Sequence, residues 1–219
     1  DPTVLVGGIA LNFGDAGSSY RVGQGRDFVI EGDEYDSAFF DKTAKFLKYL
    51  PDIAIIGNLE YDHADIYPDL DALRIAFRRL LNLVPRSGRV LIGADSPEAV
   101  RLAEFARCPV ETFGMAEGAD WRASEVRPSE TGTTFQLWYR DTPLGHVELP
   151  LFGAHNVRNA LAAIAAAHAA GVDPGAAIAG LAQFRGVKRR LELCGIARGV
   201  AVYDDFAHHP TAILETVRA

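Results

Sequence analysis

The sequence predicts an α/β fold, a mostly parallel sheet flanked by helices with a small antiparallel β insertion. Three observations carry that prediction. Short apolar runs alternate with amphipathic segments as far as residue 113, helical spacing disappears between about 119 and 151, and it returns after Gly153. The chain has 219 residues, 48% hydrophobic and 23% charged, which is enough core for one large or two small domains.

Val4 to Val6 and Phe28 to Ile30 read as buried strands, the second ending in Glu31-Gly32-Asp33-Glu34. Phe39 to Leu50 reads as a helix. Ile53 to Ile56 is a third strand, running through Gly57-Asn58 into Glu60-Tyr61-Asp62-His63. Leu70, Leu73, Phe77, Leu80, Leu81 and Val84 share one helical face, closed by Pro85 and Gly88. Val90 to Ile92 is a strand, Pro97 to Ala106 a helix opened by Asp95-Ser96, and Val110 to Phe113 a strand. This alternation argues for a parallel sheet covered on both sides.

Trp121 to Val126, Thr134 to Tyr139 and His146 to Leu149 then follow one another with turns between them, the pattern of an antiparallel sheet. Asn156 to Ala170 and Pro174 to Phe184 are helical. Leu193 to Ile196 and Val200 to Tyr203 flank a turn at Gly199, and a last helix starts near Pro210. Asp1 enters almost directly into a strand and Ala219 falls inside a helix with no stop signal, so the expectation is a piece excised from a longer chain.

Asp and Glu outnumber Lys and Arg by 29 to 22, and no basic cluster forms a phosphate-backbone stripe, which argues against nucleic acid as a partner. Cys108 and Cys194, far apart with no metal-type spacing, point to reduced thiols in a cytoplasmic protein, and both read as small core residues. The most apolar stretch, Leu161 to Ala170, is short, Ala-rich and interrupted by His168, so a packed helix is expected and no membrane partner. No signal peptide is expected before Asp1.

Two acidic loops, Glu31 to Asp36 and Glu60 to Asp65, stand just beyond the carboxyl ends of predicted parallel strands, where open α/β sheets bind ligands. Carboxylates with an imidazole suit a divalent ion that also holds phosphate oxygens. Composition alone equally allows solvated loops with Asp33 or Asp65 capping a helix. Asn156 and Asn159, three apart in the first turn of the Ala-rich helix, face one way beside free backbone N–H groups and suit a nucleotide or phosphate, or else are an N-cap and an exposed amide. Lys188-Arg189-Arg190 suits transferring phosphate charge or is a solvated run. His208 and His209 invite a zinc reading, but adjacent histidines rarely reach one tetrahedral ion. The phosphate-loop pattern G-x-x-x-x-G-K-[ST] is absent, and Gly7-Gly8 lacks its lysine and hydroxyl.

Taken in order, Glu31-Gly32-Asp33-Glu34-Tyr35-Asp36, Asn58-Leu59-Glu60-Tyr61-Asp62-His63, Gly153-Ala154-His155-Asn156-Val157-Arg158-Asn159, Arg189-Arg190 and Asp204-Asp205-Phe206-Ala207-His208-His209-Pro210 resemble signatures of the Mur ligase family. The resemblance covers essentially the whole chain. It implies a P-loop-NTPase-like central, ATP-binding domain over residues 1–198 without its P-loop portion, an antiparallel subdomain at about 119–151, and the start of a C-terminal domain at 199–219. Tyr35-Asp36-Ser37-Ala38-Phe39-Phe40-Asp41-Lys42 and Phe206-Ala207 look like the murein-recycling branch, which joins UDP-N-acetylmuramate to the tripeptide L-Ala-γ-D-Glu-meso-diaminopimelate. The L-alanine-adding sister branch is similar but usually has Glu-Ser-Asp and Tyr-Gly at the corresponding places.

The implied reaction is ATP-driven amide formation through an acyl phosphate, with ATP and Mg²⁺ as cofactors. By residue-for-residue match, Glu31 and His63 would hold Mg²⁺, Asn156 and Asn159 the nucleotide, Arg190 the γ-phosphate and acyl phosphate, and Asp205 the ATP site. Glu31, His63 and Arg190 are thus the implied catalytic set. Leu70 to Val84 has no lysine, so the carbamylated lysine of several branches is not expected. Without a P-loop the chain alone is expected to be inactive. A non-catalytic nucleotide-binding module is the competing reading, a metal hydrolase a weaker third, and a homodimer through an exposed sheet edge is a further expectation.

Overall fold

The computed structural model describes residues 1–61 and 66–219. The chain opens with strand β1 (Thr3–Ala10), which pairs antiparallel with β2 (Ser18–Arg21) and parallel with β3 (Phe28–Ile30). These form a small sheet in the order β2-β1-β3. A hairpin of β4 (Asp36–Ala38) and β5 (Asp41–Ala44) follows, then a 3-10 turn at Lys45–Lys48.

The main sheet contains β6 (Ile53–Ile56), β7 (Arg89–Gly93), β8 (Val110–Gly114), β9 (Trp121–Ser129), β10 (Gly132–Tyr139) and β11 (Thr142–Leu149), in the order β11-β10-β9-β8-β7-β6. From β6 to β9 the pairing is parallel, and from β9 to β11 antiparallel. Helix α1 (Leu70–Leu83) crosses from β6 to β7. Helix α2 (Pro97–Arg101), extended by a 3-10 turn, crosses from β7 to β8. Each starts on a side chain that accepts a free backbone N–H: Asp69 from Ala72 at 2.8 Å and Ser96 from Ala99 at 3.3 Å. Helices α3 (Ala154–Ala169) and α4 (Pro174–Leu181), the hairpin β12 (Glu192–Ala197) and β13 (Val200–Asp204), and α5 (Pro210–Arg218) complete the chain.

The pleat of β7 shows why both faces must be covered. Val90 and Ile92 point into a core with Leu73, Leu80 and Leu81 of α1, while Leu91 between them points into a core with Trp121, Phe135 and Val157, Leu161 and Ile164 of α3. All three β7 residues are fully buried, each contributing about 1.5–3 kcal/mol on transfer from water. The second core holds one buried carboxylate, Glu111, which accepts the indole N–H of Trp121 at 2.7 Å and pairs with Arg89.

Four expectations change. Val4 to Val6 and Phe28 to Ile30 are strands but not buried ones: they lie in the small sheet apart from the main one, with Leu5 45%, Phe28 56% and Val29 50% exposed. Residues 39–50 are not a helix: the Asp41 carboxylate accepts the N–H and O–H of Thr43, Lys42 pairs with Asp36 and Lys48 with Asp41, and these local bonds hold a hairpin in place of i,i+4 bonding. The apolar residues there share no helical face. Phe46 is buried, while Phe39 and Phe40 at the hairpin are 92% and 91% exposed. The antiparallel strands are not a sheet of their own, because β9 joins β8 through Phe113 and Trp121 and continues the main sheet. Of the cysteines, Cys108 packs half-buried against the core but Cys194 is exposed on the β12–β13 hairpin. Among the described residues no helix is long and apolar enough to cross a membrane.

Candidate functional site

β1 organises the site from both ends. Near its start, the Leu5 carbonyl accepts the N–H of Glu31, fixing the point where β3 gives way to the acidic loop. At its middle, the Gly7 N–H donates to Glu31 Oε2 at 2.6 Å. A Cβ at Gly7 would stand 3.2 Å from that oxygen, and one at Gly8 would stand 2.6 Å from Val187. The Gly7-Gly8 pair is therefore used for close approach. At its far end, Lys188 N–H donates to the Ile9 carbonyl and Leu11 N–H to the Gly186 carbonyl, which brings the basic loop alongside the acidic one.

That basic loop is held in an unusual shape. Arg189 and Leu191 both adopt positive φ, 59° and 50°. The conformation persists because specific bonds determine it: Arg189 N–H donates to Glu192, Leu191 N–H to Asp205 Oδ2 at 2.7 Å, and Phe206 N–H to the Arg189 carbonyl at 2.9 Å. Arg189 pairs with Asp204 at 3.2 Å, while Arg190 has no carboxylate partner among the described residues. Both guanidinium groups lie over the Phe206 ring, at 5.2 and 6.0 Å. A cation placed by a ring keeps its full charge for an anion.

Glu31 and Arg190 line one cleft of about 300 Å³. Residues 31–35 form one wall; Arg190, Phe206, Ala207, His208, His209 and Ala212 form the other. The cleft therefore gathers a carboxylate and a guanidinium around a space able to take phosphate oxygens and a cation. Glu31 Oε1 accepts no hydrogen bond among the described residues, so one hard oxygen is available. That donor set fits Mg²⁺, which is commonly held by one or two carboxylates, with phosphate and water completing the octahedron. Among the described residues no three His, Cys, Asp or Glu side chains converge as a protein-only metal cage.

The other sequence-derived residues are distributed differently. His63 lies outside the described residues, as does Asp65. Asp205 is adjacent to the cleft but engaged, its carboxylate accepting the N–H groups of Leu191 and Ala207 and the hydroxyl of Thr216. Asn156 and Asn159 do share one face of the first turn of α3, with Asn159 donating to Asn156 at 3.4 Å and Asn156 to the Phe152 carbonyl at 2.8 Å. They do not line the cleft that holds Glu31 and Arg190. The N-cap of α3 is Gly153, at φ 90°, and no side chain caps that end.

Two residues carry structure that sequence reasoning had not assigned. The hydroxyl of Thr211 holds the Glu60 carboxyl below the ordinary carboxylate range, with smaller contributions from Asn58 and His209 in the same direction. His155 sits at the junction of α3 and α5, with its Nδ1 buried and unpartnered. Burial lowers its pKa; Glu215 and Asp205 act to raise it, Arg158 and Arg190 to lower it. Both depend on residues far apart in sequence, Glu60 on Thr211 and His155 on the packing of α5, so no local signal marked them.

Comparison with known proteins then decides the family. A model of the Mur ligase middle domain matches residues 23–167. The chain belongs to the Mur ligase family. Among curated Mur ligases it is 42% identical over 218 residues to the UDP-N-acetylmuramate–L-alanyl-γ-D-glutamyl-meso-2,6-diaminoheptandioate ligase of Escherichia coli, covering 100% of this chain and 46% of that one. It is also 42% identical over 219 residues to the UDP-N-acetylmuramate–L-alanine ligase of Chlorobaculum tepidum, covering 100% and 44%. A solved Mur ligase, the UDP-N-acetylmuramate:L-alanyl-γ-D-glutamyl-meso-diaminopimelate ligase of Neisseria meningitides, superposes with a TM-score of 0.76 at 38% identity, over 86% of this chain and 59% of that one. The chain thus spans about half the length of the curated Mur ligases it matches.

Proposed function

We propose that the protein carrying this chain is an ATP-dependent amide ligase that joins UDP-N-acetylmuramate to L-Ala-γ-D-Glu-meso-diaminopimelate in the cytoplasm. The observation that supports it most is that Glu31 and Arg190 line one cleft. In this reaction the sugar's carboxylate oxygen attacks the γ-phosphorus of ATP, ADP leaves, and the acyl phosphate is opened by the peptide amine with release of phosphate and a proton. Arg190 offers planar N–H donors to the transferring phosphoryl oxygens. Glu31, oriented by the Gly7 N–H, would hold one Mg²⁺, and His63 is proposed as a ligand of a second Mg²⁺. When bound, Mg²⁺ neutralises phosphate charge. Asn156, Asn159 and Asp205 are proposed to contact the nucleotide.

The L-alanine-adding activity is the second reading, favoured by an identity to that branch equal to the first, 42% in each case. Glu34-Tyr35-Asp36 and Phe206-Ala207 support the tripeptide choice. Supplying the protein with ATP, Mg²⁺, UDP-N-acetylmuramate and either acceptor, and following phosphate release, separates the two. Turnover with tripeptide is expected, and a strong preference for alanine would sink the choice. A pairing of two copies through the edge strand β6, where Ile55 is 47% exposed, is a separate proposal that a monomer in light scattering would end.

A further inference from the structure

The Glu60 carboxylate joins parts of the chain 151 residues apart. Its Oε2 accepts the Thr211 hydroxyl at 2.7 Å and lies 3.4 Å from Nδ1 of His209; its Oε1 accepts the Asn58 amide at 3.1 Å. His209 stands at the N-cap position of α5 and lines the cleft, and Thr211 lies in the first turn of α5, between the cleft-lining His209 and Ala212. A hydroxyl donating to an ionised carboxylate is among the stronger hydrogen bonds available to a protein.

Glu60 is also tied to the Glu31 wall. Its neighbour Tyr61 donates its hydroxyl to the carbonyls of Tyr67 and Pro68, at 2.9 and 3.2 Å. Tyr67, which is buried, donates its own hydroxyl to the Glu34 carbonyl at 2.7 Å. Hydrogen bonds from Tyr67 to the acidic loop and from Tyr61 to residues 67 and 68, with the peptide link between Tyr61 and Glu60, therefore connect the acidic loop to the start of α5. The other described ties of α5, Arg158 to Glu215 and Thr216 to Asp205, lead to α3 and to the adjoining loop, not to the Glu31 wall.

We propose that Glu60 is a positioning residue: through Thr211 and His209 it sets the distance between the two walls of the cleft, and so the alignment of groups for phosphoryl transfer. The inference rests on the ligase reading. Phosphoryl transfer is catalysed mainly by placement, so a small widening of the cleft costs rate before it costs affinity.

The test uses Thr211→Val, which removes the hydroxyl and keeps the shape, Thr211→Ser, which restores the hydroxyl, Glu60→Ala, and the double variant Glu60→Ala with Thr211→Val. We expect Thr211→Val and Glu60→Ala each to lower kcat about 10- to 100-fold with KM for ATP little changed. Thr211→Ser should stay near wild type, and the double variant should be no slower than Glu60→Ala. Amide hydrogen exchange over residues 210–215 should quicken in Thr211→Val. Additive losses, or a full kcat in Thr211→Val, would overturn the proposal. If the intact protein that carries this chain shows no turnover at all, the ligase reading has failed, and the exchange measurement alone decides: unchanged protection of α5 in Thr211→Val rejects the clamp, and faster exchange supports it.

Discussion

Glu31 and Gly7 are joined by a 2.6 Å hydrogen bond from the glycine N–H to the carboxylate, and the glycine has no side chain because one would crowd that oxygen. Gly7→Ala should displace the Glu31 carboxylate by a few tenths of an ångström. We expect turnover to fall about 10-fold and its Mg²⁺ requirement to shift to higher concentration, with thermal stability nearly unchanged. Kinetics across a Mg²⁺ titration measure this. Wild-type Mg²⁺ dependence in the variant would remove Glu31 from the metal site.

Arg190→Lys keeps the charge but loses the planar pair of donors and much of the stacking on Phe206. We expect kcat to fall about 100-fold, the loss typical of removing one preorganised donor to transition-state charge. Because Arg190 has no carboxylate partner among the described residues, the melting temperature should hold. A comparable loss of stability would recast Arg190 as structural.

Trp121→Phe removes the indole N–H from the buried Glu111 carboxylate and leaves Oε2 without that donor. The cost should be about 1–3 kcal/mol of folding stability. Denaturant titration reads it directly, with the cleft unaffected because Trp121 does not line it.

The pH dependence of stability should carry a histidine signature. The folded pKa of His155 lies below its ordinary 6.5 because burial disfavours the charged ring. Between the two values the unfolded chain binds more protons, so this contribution is complete above pH 6.5 and is lost as pH falls through the folded value. His155→Leu should flatten the fall in melting temperature between about pH 7 and about pH 5. An unchanged slope would show that folding does not lower the His155 pKa.

The hydrophobic period of the sequence determined where most strands and helices lie. Alternation in Val90, Leu91 and Ile92 and the helical face of Leu73, Leu80 and Leu81 are local patterns, and they also determined that both faces of the parallel sheet are covered. The motifs likewise placed Glu31 just beyond the end of a strand and Arg190 in a loop. Residues 39–50 were misread because the side-chain bonds of Asp41 outweigh helical propensity, a competition that composition does not reveal. Only the tertiary structure decided that Glu31 and Arg190 share a cleft, that Asn156 and Asn159 stand outside it, and that Glu60 reaches Thr211 across 151 residues. The physical reason is range: periodicity reports contacts within a turn or a pleat, whereas a site is assembled from hydrogen bonds between segments whose separation leaves no mark on their local sequence.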